Sequence, residues 1–255
     1  MMKNVHACET GGGGGLLLRR GGLLPGGGDL LLRARRLLPA LVKLLLLFEP
    51  DLSERIRFSD RKLVDYHAVI ATGSNNSMLH FEQYFSHVPH LFRGHRTSVA
   101  VLTGNESKGE LHALGVDCLT YFGRGCRNVT HLLFPEGFDL NRFFEAIVDL
   151  SDVVNNKKYG NNYDYNKAVH LMNLSKFLDN NFLLMKESDQ LFSPLSMLHY
   201  QFYKSSEELT SFLDAHRSQI QCVVGQDYIP FGQAQCPSLM DYADGMDTME
   251  FLATC

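Results

Sequence analysis

The run YFGRGCRNVTHLLFPEG holds the residues best suited to covalent chemistry. Cys126 follows Gly123 and Gly125 closely and is flanked by Arg124 and Arg127. Glycines at such a turn let the backbone adopt positive φ and approach a ligand closely. Free N–H groups in the turn can face a carbonyl oxygen as it gains charge. A cysteine thiolate there is a competent acyl acceptor, and neighbouring positive charge favours the thiolate. The same pattern also fits a buried structural cysteine beside two turn glycines. Spacing alone leaves both readings open.

A second candidate is IATGSNNSMLHF, a buried strand running through Thr72, Gly73 and Ser74 into a helix. Backbone amides at that helix N-terminus can receive a phosphate or ribose. A plain strand-to-helix turn capped by Ser74 or Asn75 reads equally well. His131 is expected to be structural. His87, His90 and His95 lack the cysteine or carboxylate partners of a zinc site, so no metal centre is expected. The polar stretch NNKKYGNNYDYNKA reads either as a loop with turn residues or as a surface for polar ligand groups.

The elements that must position these residues alternate in type. Strands are expected at Ile56–Phe58, Ala68–Ala71, Ser98–Leu102 and His131–Phe134, with a last one at Gln221–Val224. Helices are expected at Leu37–Phe48, Met78–Phe85, Glu110–Tyr121, Leu140–Leu150 and Glu207–His216. Residues 11–47 are of low complexity, dominated by Leu, Gly and Arg, and read as turn, short strand (Leu30–Leu32) and helix. Strand–helix alternation predicts an α/β fold with a mainly parallel sheet. No internal repeat is present.

Bulk properties exclude several classes. The 255 residues are 45% hydrophobic and 20% charged, enough for a substantial core. A formal net charge of -4 argues against a nucleic-acid partner. Arginines interrupt every apolar stretch of the N-terminal region, so no integral membrane segment is expected. Six scattered cysteines without CxxC pairing, and an N-terminus lacking a signal sequence, predict thiols in the cytoplasm.

Five motifs occur in a fixed order: AVIATGSNNS, SVAVLTGNES, YFGRGCRNVTHLLFPEGFD, NNYDYNKA and FGQAQCPSLMDYADGMDTMEFL. Together they resemble the long-chain (fatty) acyl-CoA reductases of the bacterial luminescence type, which are similar in turn to the aldehyde dehydrogenase superfamily. The resemblance runs from about Leu37 to Leu252. It implies an aldehyde dehydrogenase-like α/β fold: a partial Rossmann-type dinucleotide-binding domain (residues 1–96), a catalytic α/β domain (97–225) and a C-terminal returning segment (226–255).

The resemblance makes Cys126 the nucleophile. It places Thr72, Gly73, Ser74 and Gly104 at the cofactor, and Arg33 where the adenosine ribose lies, implying NADPH. Gln190-Leu191-Phe192-Ser193-Pro194 resembles a segment whose glutamate holds the nicotinamide ribose, with Gln190 in the glutamate's place. Val101 falls where hydrolytic relatives carry a glutamate base, which favours thioester reduction over aldehyde oxidation. The family's N-terminal region is expected to be missing, and Gly11 to Leu18 contains no asparagine for an oxyanion hole. The implied substrate is a fatty acyl-CoA or acyl thioester, an acyl-donor protein is an implied partner, and the implied assembly is a homo-oligomer. The alternatives are a cysteine acyltransferase or thioesterase working without nicotinamide, and an inactive remnant acting as a binding module.

Overall fold

The computed structural model describes residues 4–9, 15–20, 28–59 and 66–255, with side chains for 38–58 and 66–255. The chain divides into two compact units, Met1–His95 with Gly245–Cys255, and Arg96–Asp244.

The first unit carries β1 (Asn4–Glu9), β2 (Gly15–Arg20), α1 (Gly28–Phe48), β3 (Ile56–Ser59), β4 (Ala68–Thr72), α2 (Asn75–Phe85) and β5 (His90–Arg93). Its sheet has the order β3-β2-β1-β4-β5, with β1 antiparallel to both neighbours and the outer pairs parallel. Val69, Ala71, Phe81 and Phe85 form its small core.

Leu30–Leu32, expected as a strand, lies within α1. Leucine, arginine and alanine are strong helix formers, and no turn signal separates these residues from the helix that follows. The Arg33 side chain lies outside the described residues.

The second unit contains β6 (Thr97–Val101), α3 (Lys108–Leu119), β7 (Val129–Pro135), α4 (Asn141–Ala146), α5 (Lys157–Met172), β8 (Leu178–Asp179), β9 (Leu184–Glu187), β10 (Met197–Tyr203), α6 (Ser206–Ala215) and β11 (Ile220–Val224). Helix α7 (Thr248–Ala253) belongs to the first unit. The sheet order is β11-β6-β7-β10-β9-β8, parallel throughout except for the β8–β9 pair. All five residues of β6 are buried, as a strand covered on both faces requires. Leu114, Leu132, Phe134, Phe143, Ile147 and Leu183 fill the core between sheet and helices.

From Lys157 onward the stretch NNKKYGNNYDYNKA is part of helix α5, not a loop. Asn156 caps it by accepting from Lys158 and Tyr159 N–H. Its buried face is Tyr159, Tyr163 and Asn166, spaced at helical intervals but carried by polar-tipped side chains. Tyr163 OH donates to Asp179 at 2.7 Å and Lys167 pairs with the same carboxylate at 2.7 Å, which ties α5 to β8.

Helix α3 starts at a capping box in which Ser107 and Glu110 each bond the other's backbone N–H. It stops at Leu119 rather than Tyr121, because Tyr121 and Phe122 are left-handed (φ 53° and 60°). The helix expected over Leu140–Leu150 is split into α4 and a 3-10 segment, Val148–Asn155.

Candidate active site

Cys126 stands at the N-terminal edge of β7, three residues before Val129, and is exposed. The turn beneath it is held by Asn128, which is fully buried. Asn128 Oδ1 accepts from Gly125 N–H at 2.7 Å. Asn128 Nδ2 donates to the carbonyls of Asp117 and Thr120, both at 2.8 Å, and to that of Cys118 at 3.3 Å. One amide therefore satisfies carbonyls left open at the end of α3 and closes the turn that presents Cys126. Tyr121, Phe122 and Gly123 are left-handed in succession, at φ 53°, 60° and 68°. Such strain persists only where surroundings enforce it, and Asn128 is that enforcement.

The second wall of the turn comes from residues 231–236. Asp117, 1% exposed, accepts from Gly232 N–H at 2.7 Å and from Ala234 N–H at 3.0 Å. Burial raises its carboxyl above the usual range, against the two N–H bonds that lower it. Arg127 Nε donates to the Ala234 carbonyl. This arginine, expected to face the thiol, thus has its guanidinium engaged by the second wall. Asp117 bonds the wall with its side chain and Asn128 with its carbonyl, so both halves of the site hang on one residue.

The remaining cysteines whose side chains are described separate by burial. Burial raises the Cys118 thiol well above its ordinary value, and the nearby Asp117 charge adds to this. Burial also raises Cys222, against a 3.0 Å contact with Ser98 Oγ and the Arg127 charge. Ser98 Oγ donates to the Cys126 carbonyl as well, at 3.0 Å. Cys236 and Cys255 are exposed.

Gln190 follows β9 and lies against β7 and β10. Its side chain is exposed, and its carbonyl accepts from His131 Nδ1 at 3.1 Å and His199 Nδ1 at 2.8 Å. His131 is buried, and that burial lowers it to about 4. A cavity of about 20 Å³, room for roughly one water, is walled by Gly123, Ser193, Pro194, Leu195, Cys118 and Tyr159. Ser193 and Pro194 therefore share this cavity with Gly123, the first glycine of the Cys126 turn.

Gly104 and Val101 are elsewhere. Strands β6 and β7 run parallel, with Ser98 opposite Val129 and Val101 opposite Leu133. Gly104 follows the C-terminal end of β6, whereas Cys126 precedes the N-terminal end of β7. Val101 is buried about four residues along the strand, roughly 13 Å from the Cys126 end. It is therefore not placed to govern water at the thiol, contrary to the expectation for this residue. At Gly104, N–H binds Glu106 at 3.0 Å and the carbonyl accepts from Arg142 at 2.8 Å, closing the β6–α3 turn.

In the first unit, Thr72 and Ser74 are exposed where β4 meets α2. Ser74 is the N-cap but makes no side-chain cap bond; its Oγ meets Ser77 Oγ at 3.0 Å instead. A Cβ on Gly73 would stand 2.7 Å from Ser77 Cβ and 3.2 Å from Phe81, so glycine here lets α2 pack on the sheet. A turn of this shape, with an open helix N-terminus, fits a phosphate or ribose. Among the described residues no cluster of three or more His, Cys, Asp or Glu gathers as a metal site. No helix among them is long and apolar enough to cross a membrane.

Sequence reasoning missed Asp117 and Asn128. The one available signal was Asn128's position between a glycine turn and the apolar run of β7.

No protein-family model matches the chain, and no curated protein matches it. Solved structures do. The substrate-bound state of Staphylococcus aureus AldH is 13% identical over 67% of this chain and 45% of that one, with a TM-score of 0.50. The NADP complex of Bacillus halodurans C-125 NADP-dependent glyceraldehyde-3-phosphate dehydrogenase is 12% identical over 67% and 44%, at 0.48. A Sinorhizobium meliloti NAD-dependent aldehyde dehydrogenase is 9% identical over 75% and 42%, at 0.48. The chain spans less than half the length of each. The fold is thus α/β of the aldehyde dehydrogenase type, as the first of these similarities shows over two thirds of the chain.

Proposed function

We propose that this chain is a reductase of acyl thioesters, taking a fatty acyl group from coenzyme A onto Cys126 and releasing it as an aldehyde. The observation that carries the reading is the exposed Cys126 thiol on a strained turn pinned by buried Asn128, within an aldehyde dehydrogenase-type fold. The five motifs that resemble acyl-CoA reductases support the reductive direction and the choice of substrate.

In the proposed sequence Cys126 thiolate attacks the thioester carbonyl and coenzyme A leaves as a thiol. Reduced nicotinamide, when bound, supplies the hydride that the acyl group needs. Thr72, Gly73 and Ser74 are proposed to meet the cofactor, and Gln190 the nicotinamide ribose. Arg33 is proposed to favour NADPH, since a guanidinium pairs bidentately with a phosphate. Gly104 is the weakest member of that set, since its backbone is engaged in the β6–α3 turn at the far end of the sheet from Cys126.

The test is incubation with a long-chain acyl-CoA and NADPH, following nicotinamide absorbance and aldehyde together. Matched NADPH loss and aldehyde formation support the proposal. Acyl transfer or fatty acid release without NADPH loss supports a cysteine acyltransferase or thioesterase instead. Absence of acyl-enzyme and product contradicts both enzymatic readings.

A further inference from the structure

Arg93 is the last residue of β5 and pairs across a parallel ladder with Thr72, the last residue of β4. The strands are locked at that end, where Gly73 N–H donates to the Arg93 carbonyl at 3.1 Å. Val69, Ala71 and Phe92 pack on the side of α2, with the Phe92 and Phe81 ring centroids 5.7 Å apart. Side chains alternate along a strand, so Thr72 and Arg93 both leave the opposite face of the sheet. Paired residues on one face stand about 5 Å apart. The exposed Thr72 side chain and the Arg93 side chain are therefore neighbours. They stand at the carboxyl end of two parallel strands, which is where open α/β sheets take their ligands.

The guanidinium there is only partly satisfied. Nη2 donates to Thr248 Oγ1 on α7 at 2.6 Å. Nε is buried and has no hydrogen-bond partner among the described residues. No carboxylate pairs with the group among them either. Nη1 has no partner among the described residues and is not buried, so it is open to a ligand. A partly buried cation without a counter-charge is costly to keep. A bound anion removes that cost, and the arginine fork matches the paired oxygens of a phosphate. Thr248 holds the fork at one nitrogen and leaves Nη1 for that anion.

We infer that Arg93 binds the diphosphate of a nucleotide, with Thr72 Oγ1 as a second donor. This deepens the proposed function and rests on it, because a diphosphate is common to the two nucleotides that reaction needs, NADPH and coenzyme A.

The experiment is calorimetric titration of the intact chain with NADPH and, separately, with coenzyme A, at low and at high ionic strength. Arg93→Gln is expected to weaken one or both by roughly 10- to 100-fold at low ionic strength. The difference should narrow at high ionic strength, because salt screens a charge interaction. The nucleotide that weakens identifies the source of the diphosphate. Thr72→Val should weaken the same nucleotide by about 2- to 10-fold. Unchanged affinity for both nucleotides in Arg93→Gln would overturn the inference. So would a loss equal at both ionic strengths, which would give the arginine a structural role only. Should Arg93→Gln fail to fold by circular dichroism, the exposed Thr72→Val decides, and unchanged affinity there overturns the inference. Failure of the unsubstituted chain to bind either nucleotide contradicts the proposed function as well, and is seen before any variant is made.

Discussion

Asn128 Oδ1 accepts a 2.7 Å hydrogen bond from Gly125 N–H, and that bond closes the turn on which Cys126 stands. The same side chain holds three carbonyls at the end of α3 through its nitrogen. Closure of the Cys126 turn and termination of α3 are therefore one structural event.

Asn128→Ala is expected to destabilise the second unit by about 3 kcal/mol, since it leaves several buried backbone groups unpaired at once. Asn128→Asp should be comparably harmful, because it keeps the acceptor for Gly125 and turns the donor into an acceptor facing carbonyls. Urea unfolding monitored by circular dichroism measures this. A midpoint unmoved by either substitution is incompatible with the network described.

Asp117→Asn should release the 231–236 segment while α3 remains formed. An asparagine can accept from only one of Gly232 and Ala234, and its NH2 opposes the other donor. Hydrogen exchange followed by mass spectrometry should show faster exchange in residues 231–236 than in α3. Uniform acceleration across the unit would mean that Asp117 supports the whole core rather than this segment.

Stability should depend on pH through His131. Burial lowers its folded value to about 4, below the ordinary value near 6.5. Between these values the unfolded chain binds more protons than the folded one, so stability rises with pH. It is lost as pH falls from about 6.5 towards 4, by up to about 3 kcal/mol. Burial lowers His199 too and acts in the same direction. Urea midpoints at pH 7.5 and 4.5 should differ less in His131→Gln than in the unsubstituted chain. An equal difference would assign the pH effect to other groups.

Gly73→Ala should cost about 1–3 kcal/mol, because its methyl group would meet Ser77 Cβ at 2.7 Å and force α2 off the sheet. Thermal unfolding reads this directly. A tolerated alanine would show that the β4–α2 junction relaxes freely.

Much of the fold was legible in the sequence because its central strands are apolar and bounded by turn residues. Ala68–Ala71 and Ser98–Leu102 were visible for that reason, and so was the glycine turn that bears Cys126. Helix α5 was not, since its inward face is Tyr159, Tyr163 and Asn166, which read as surface residues until their burial is known. Strand β10 was hidden by His199 and Gln201 within it, and β5 by its four-residue length. The supports of the site, Asp117 and Asn128, are polar residues whose partners lie from 3 to 117 positions away in the chain. No local pattern marks such residues. Val101 was misplaced for a related reason: the position of a residue along a strand is fixed by pairing, and pairing is a long-range property.

The central claim is that Cys126 accepts the acyl group, and the direct measurement is the site of covalent label. The chain is treated with mass-tagged palmitoyl-CoA, digested, and each cysteine peptide is quantified. Label should appear on Cys126, vanish in Cys126→Ala, and persist in Cys236→Ala and Cys255→Ala, the other exposed thiols among the described side chains. Cys118 and Cys222 should stay unlabelled, because burial raises both thiols. Label on a cysteine other than Cys126, or label surviving in Cys126→Ala, would contradict the account.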